Sequence, residues 1–314
     1  MDSLHLVDPE LRPKLQALPT ITVSRENLQA VRNPWPPPSI DQSKVQFQRR
    51  FVAGPPGAPD IALSIYLPQD APRPLPCIYH MHGGGYIAGA SADLQSLHYP
   101  LAREVRTAII SVDYRLAPET IFPGAIEDCY AGLRWVFEHC GELNLNPERI
   151  GLMGQSAGGG LAAALALLVR DRGEYRLSFQ HLIYPMLDDR TGSASDPNPF
   201  AGEFLWLAPS NRFAWGCLLG RDPGGPDVSP YAAAARATDL SGLPEAFIAT
   251  GALDLFIDEN VEYAHRLIRA GVATELHVYP GAYHGFDVFA AEAAVSRQAC
   301  RDSIEALRRT LMSK

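Results

Sequence analysis

The amino-acid sequence predicts an α/β fold, a mostly parallel central sheet flanked by helices, and three observations carry that expectation. From Cys77 onward, apolar runs of strand length alternate with stretches of helix length, the pattern of parallel strands joined by crossover helices. Ahead of them, two segments alternate apolar and polar residues with period two on either side of Gly54-Pro55-Pro56-Gly57, which reads as an antiparallel pair. Finally, 314 residues, 46% hydrophobic and 20% charged, are enough for one large core, and this balance excludes disorder, collagen and coiled coil.

The elements follow in chain order. Leucines at 4, 11, 15 and 18 form a helical stripe that predicts an appended amphipathic segment. Pro34, Pro36, Pro37 and Pro38 punctuate the chain before the antiparallel pair, expected over 45–51 and 61–67. Strands are then expected near 77–81, 108–113, 150–155, 179–184, 246–250 and 275–279. Helices should fill 94–105, 125–140, 157–171, 259–270 and 292–311. The interval 188–230, rich in Pro, Gly and aromatics, is too long for an ordinary connection and predicts an inserted lid.

Charge and cysteine usage remove several function classes. With 27 Lys+Arg against 35 Asp+Glu, a net charge of -8, and no basic run, a nucleic-acid partner is not expected, because such affinity comes mostly from cations neutralising phosphates. The five cysteines, Cys77, Cys129, Cys140, Cys217 and Cys300, are odd in number and show no metal-ligand spacing, so reduced and mostly buried thiols are expected. Residues 1–10 lack the basic and apolar regions of a signal peptide, and the longest apolar run, Leu161 to Val169, is too short to span a bilayer. A soluble cytoplasmic protein without stable membrane insertion is therefore the expectation.

The strongest chemical signal is Gly154-Gln155-Ser156-Ala157-Gly158, between an apolar strand and an Ala/Leu-rich helix. A serine on such a strand-to-helix turn is exposed at the head of a helix, whose amino terminus favours developing negative charge. Outside that context G-x-S-x-G is weak, and an ordinary N-cap serine is the alternative. A serine nucleophile also needs a base and donors for an oxyanion. His82-Gly83-Gly84-Gly85, after the first parallel strand, can offer unobstructed backbone N–H groups, although alone it would pass for a flexible turn.

Taken with Tyr114-Arg115-Leu116-Ala117-Pro118-Glu119 and His284-Gly285-Phe286, these motifs occur in an order that resembles the bacterial esterases of the hormone-sensitive lipase family, over nearly the whole chain. The resemblance implies an α/β-hydrolase fold with a mainly helical cap, here residues 1–45 and 190–228 over a core of 46–189 and 229–314. It also implies the chain order Ser, acid, His. Of the downstream histidines, His181 and His277 fall inside expected strands and His265 mid-helix, whereas His284 follows the last strand in a loop and matches the family's His-Gly-Phe. Asp254 follows the strand near 246–250 and matches the family's acid, with Asp258 expected to cap the next helix. Asp188 and Asp189 are the competing acids. Two departures stand out. Asp254-Leu255-Phe256-Ile257-Asp258 lacks the family's Pro and Arg, and Gln155 replaces the usual Asp, Glu or Thr. Tyr114 to Glu119 is assigned a structural role, with Pro118 turning the chain and Arg115 pinning carbonyls or carboxylates.

The expected activity is carboxylic ester hydrolysis through a Ser156–His284–Asp254 triad, with Gly83, Gly84 and Ala157 N–H groups as oxyanion donors and no metal or organic cofactor. The partner is then a small-molecule ester of short to medium acyl chain, and the oligomeric state, homo-oligomers included, is left open. An amidase or peptidase with the same triad and a non-catalytic small-molecule receptor are the alternatives; the presence of His284 speaks against the receptor. An Asp-dependent dehalogenase or epoxide hydrolase is opposed by Ser156. Trp35, Trp206 and Trp215, with Phe200, Phe204 and Phe213, fall in the expected cap. They suit an apolar acyl or aryl group, or else serve only to fasten the cap.

Overall fold

Alternate residues of the central strands feed opposite faces of one sheet, and this alternation builds the molecule. The computed structural model describes residues 3–33, 39–193 and 197–312, so the proline cluster at 34–38, and Trp35 within it, lie outside the described residues. Among the described residues eight strands form the sheet: β1 (Val45–Val52), β2 (Ile61–Pro68), β3 (Leu75–Met81), β4 (Ala108–Asp113), β5 (Leu145–Gln155), β6 (Phe179–Ile183), β7 (Glu245–Gly251) and β8 (Thr274–Tyr279). Their spatial order is β1-β2-β4-β3-β5-β6-β7-β8. β1 and β2 pair antiparallel, Val45 opposite Pro68 and Val52 opposite Ile61, and β2 meets β4 antiparallel. Every later pairing is parallel.

The helices in chain order are α1 (Arg12–Ala17), α2 (Leu28–Val31), α3 (Gln95–Glu104), α4 (Gly124–Glu138), α5 (Cys140–Leu143), α6 (Ala157–Arg172), α7 (Ala208–Leu219), α8 (Ile257–Arg269), α9 (Phe286–Phe289) and α10 (Ala294–Met312). Leu63 and Ile65 of β2, Tyr79 of β3, Ile110 of β4 and Leu152 of β5 turn toward a core shared with α4, α6 and α8. Tyr66, Ile78, Ile109 and Met153, from the opposite face, meet α3 and α10 through Tyr99, Leu307 and Leu311. α6 is buried from Ala157 to Val169, which explains its apolar character all round.

Two regions depart from simple periodicity. The leucine stripe at 4–18 is not one helix: Ser3–Leu6 forms a single 3₁₀ turn and α1 only six residues. Val7 and Leu11 are instead buried beside Tyr283 and Phe286, and the Asp8 N–H donates to the Gly281 carbonyl at 3.1 Å. In 190–228 the described helix is α7, with turns around it that Pro and Gly impose. The amino-terminal segment is stitched to its surroundings by polar contacts. Ser3 N–H donates to Glu203 at 2.8 Å and Val23 N–H to Ser210 Oγ at 2.9 Å. Arg32 forks onto Glu119, 2.7 Å for each bond, and also donates to the carbonyls of Ile87 and Ala117. Among the described residues no helix is long and apolar enough to cross a membrane.

Candidate active site

Loops leaving the carboxyl ends of β3, β5, β7 and β8 converge at one edge of the sheet, where ligand sites form in open α/β folds. Ser156 sits between β5 and α6 at φ 55° and ψ −124°, a backbone conformation that costs a non-glycine residue about 1–3 kcal/mol. Three backbone bonds hold it there. Its N–H donates to the Ile183 carbonyl at 2.9 Å, and its carbonyl accepts from Gly160 and Met186 N–H, each at 3.0 Å. The turn also needs Gly158, where a Cβ would lie 2.1 Å from the Met81 carbonyl oxygen and 2.5 Å from that of His82.

A hydrogen-bonded chain runs from this serine into the protein. His284 Nε2 lies 3.0 Å from Ser156 Oγ, and His284 Nδ1 lies 2.8 Å from Asp254 Oδ2. Asp254 is fully buried, and its other oxygen accepts the Phe256 N–H at 2.9 Å. An ionised carboxylate can only accept, so the network assigns the proton to Nδ1 and leaves Nε2 to accept from the serine hydroxyl. The two loops are tied together by N–H donation from Leu253 to Ala282 and from Ala252 to Tyr279, both 2.9 Å. The imidazole is further wedged by the edges of Tyr184 and Phe256, with ring centroids 4.8 and 5.2 Å away.

Gly83 lies against this chain: a Cβ on it would be 3.5 Å from Ser156 Cβ. Gly84 adopts φ 114°, and a Cβ there would collide with the Ala88 carbonyl oxygen at 2.2 Å. Among the described residues the N–H groups of Gly83 and Gly84 donate to no protein acceptor. The loop is braced by the Tyr114 to Glu119 stretch. The Tyr114 hydroxyl donates to the His82 carbonyl at 2.7 Å, and its ring stacks on His82 at 4.1 Å. Arg115 forks onto buried Asp128 at 2.8 and 2.7 Å, the pinning role expected from the sequence.

Gln155, the departure beside the serine, accepts from His80 Nε2 at 2.9 Å. That fixes His80 Nδ1 as an acceptor, 3.2 Å from both Ser111 Oγ and His98 Nε2. Burial outweighs the Gln155 hydrogen bond and pushes His80 down to about 4, so this relay is neutral.

The competing residues are engaged elsewhere. Asp188 pairs with Arg190, and Asp189, fully buried, pairs with Arg236 at 2.7 and 2.9 Å and accepts the Gly224 N–H. His181 bonds Ser303, His277 bonds Glu275, and His265 is exposed near Glu262. Asp258 is not the cap of α8, which begins one residue earlier; it lies in the first turn, where its charge favours the helix dipole. Tyr184 and residues 18–33 are site neighbours that no motif marks, whereas Trp206 is one of the aromatics expected in the cap. Tyr184 directly follows β6 at φ 35° and donates to Asp287 at 2.9 Å, and a Tyr-Pro pair just after a strand is the signal the sequence offers for it. Trp206 comes within 6.3 Å of the His284 ring centroid, and residues 18–33 wall a cavity beside it. Among the described residues no group of three or more His, Cys, Asp or Glu could hold a metal ion. A serine hydroxyl backed by an oriented imidazole, beside free N–H groups, is equipped for acyl transfer.

Comparison with known proteins fits this geometry. A family model described as alpha/beta hydrolase fold matches residues 78–288. The chain is 33% identical to the carboxylesterase NlhH of Mycobacterium tuberculosis, over 97% of this chain and 96% of that protein. A solved structure of a bacterial heroin esterase superposes with a TM-score of 0.90 at 37% identity, covering 99% of both chains. Esterase LipW from Mycobacterium marinum superposes at 0.84 with 31% identity, covering 98% of this chain and 97% of that one. With four ordered motifs at one sheet edge and relatives matched end to end, the chain belongs to the bacterial esterases of the hormone-sensitive lipase family, within the α/β-hydrolase superfamily.

Proposed function

We propose that the protein is a carboxylesterase that hydrolyses esters of short to medium acyl chain through an acyl-enzyme. The single observation that carries this reading is the unbroken contact from Ser156 Oγ through His284 to buried Asp254. Ser156 attacks the ester carbonyl as His284 Nε2 takes its proton, and Asp254 holds the imidazole in the required tautomer. The N–H groups of Gly83, Gly84 and Ala157 receive the oxyanion, where fixed donors are worth more than mobile water. His284 then protonates the departing alcohol, and a water activated by the same imidazole cleaves the acyl-enzyme. Residues 1–45 and 190–228 act as the cap, a role supported by the contacts of Ser3 with Glu203 and of Val23 with Ser210.

The test is Ser156→Ala, assayed on ethyl acetate and with a fluorophosphonate probe. Turnover should fall by about 10⁶ and labelling should vanish. Hydrolysis by Ser156→Ala at the wild-type rate would end the proposal, and matched anilide and ester substrates separate it from an amidase.

A further inference from the structure

We infer that the alcohol half of the ester occupies the cavity beside His284, and that the preferred substrates are esters of bulky, uncharged, apolar alcohols. This deepens the esterase reading and rests on it. The cavity measures about 570 Å³ and is walled by Leu18, Ile21, Ala30, Val31, Trp206 and Phe289. That size falls in the range of about 300–1,000 Å³ usual for small-molecule sites. None of its described lining residues carries a fixed charge, so an ionised alcohol would lose hydration without a counter-ion among them. Its amides are Asn27, already bonded to Ser24 N–H and the Thr22 carbonyl, and Asn33.

The direction of binding follows from the reaction. When the carbonyl carbon is bonded to Ser156 Oγ and its oxygen faces the glycine N–H groups, the leaving oxygen must lie within reach of His284 Nε2. The cavity borders His284 but neither Ser156 nor Gly83 and Gly84. A group filling it is therefore attached on the imidazole side, which is the alcohol side. Trp206, a wall of the cavity, also packs on the glycine loop: a Cβ on Gly85 would lie 2.6 Å from Trp206 Cη2 and 3.4 Å from Ala214 Cβ. Trp206 is held in place by hydrogen bonds. Its indole N–H donates to Asn211 Oδ1 at 3.1 Å, and Asn211 donates to the Thr191 carbonyl at 2.8 Å. A wall held this way is formed before substrate arrives, which lowers the ordering cost of binding. At the mouth Ile21 and Phe289 are 46% and 43% exposed, apolar surface that an apolar alcohol would cover.

The test compares 2-(2-naphthyl)ethyl acetate with ethyl acetate, and ethyl 3-(2-naphthyl)propanoate with ethyl propanoate. All four release primary alcohols, so intrinsic reactivity varies little. The wild-type kcat/KM should be at least about tenfold higher for naphthylethyl acetate than for ethyl acetate, the scale on which a pocket discriminates by apolar bulk. Ala30→Trp, an exposed position whose enlargement fills the cavity from its wall, should reduce that ratio about tenfold. Each ratio is taken on one preparation, so partial misfolding does not imitate the effect. A wild-type ratio near one overturns the inference. So does an Ala30→Trp effect confined to the acyl-bulky pair, which would assign the cavity to the acyl group. Both results leave the esterase reading intact, since that reading is tested separately by Ser156→Ala and by matched anilide and ester substrates.

Discussion

Acid should unfold this protein partly through His181, and His181→Phe should blunt that sensitivity by an amount the structure sets. His181 lies on β6, 2% exposed, stacked on Phe247 at 4.3 Å and hydrogen-bonded to Ser303 Oγ at 2.8 Å. Burial depresses it from 6.5 to about 3, because the imidazolium has no counter-ion there to offset lost hydration. A depressed folded-state pKa means that the unfolded chain takes up the proton first. The stability this group contributes is fully present above pH 6.5 and is lost as pH falls from 6.5 toward 3. At about 1.4 kcal/mol per pH unit, wild type loses about 2 kcal/mol through this residue between pH 7.5 and pH 5. His181→Phe keeps the stack on Phe247 and removes the titration. Urea unfolding of both proteins at pH 7.5 and pH 5 measures the difference directly, and comparing each protein with itself cancels the cost of the lost Ser303 bond. Equal losses for wild type and variant would refute the reasoning, since His181 would then be reaching a proton acceptor or solvent that its burial excludes.

Three further outcomes follow from named contacts. Asp254→Asn should fold and keep its KM while kcat falls about 10⁴, because the amide no longer enforces the Nδ1 proton on His284; steady-state kinetics on ethyl acetate checks it. Gly84→Ala should lower kcat by about 10² to 10³ together with the melting temperature, because its Cβ cannot coexist with the Ala88 carbonyl at the observed φ. Arg115→Leu should destabilise by about 3 kcal/mol in denaturant unfolding, because Asp128 would stay buried without its cation, and a loss below about 1 kcal/mol would count against it.

How much of this was readable in the sequence depends on how far each determinant reaches along the chain. Buried parallel strands announce themselves because both faces are apolar, so β3, β4, β6 and β7 fall within a residue or two of their expected limits. β5 starts at Leu145, ahead of the expected Ile150, because the intervening Asn146 to Arg149 are not apolar and the register with β3 shifts between Leu75 and Cys77. The leucine stripe at 4–18 misleads for a different reason. Pro9 and Pro13 interrupt a helical ladder, and Val7 and Leu11 gain more by docking beside Tyr283. The start of the insert is held by contacts distant in sequence: Asp189 to Arg236, and Glu259 to the Leu187 N–H and the Thr191 hydroxyl. No local pattern encodes such pairs.

The same division runs through the site. The serine turn and the glycine loop are local devices, since a positive φ or a close backbone approach demands particular residues at particular positions, and those residues mark themselves in the chain. His284 and Asp254 each follow a strand that ends at the same sheet edge, so the topology delivers them to the serine. The cavity has no such signature. Its walls come from residues 18–33 and from Leu205 and Trp206, brought together by Val23 on Ser210 and by Arg32 on the Ile87 and Ala117 carbonyls. If the cavity takes the alcohol as proposed, substitutions in those walls should change which alcohol fits while leaving Ser156, His284 and Asp254 in place. On that proposal the reaction belongs to the sheet edge and the choice of substrate to the segment beside it, a division of function within one fold.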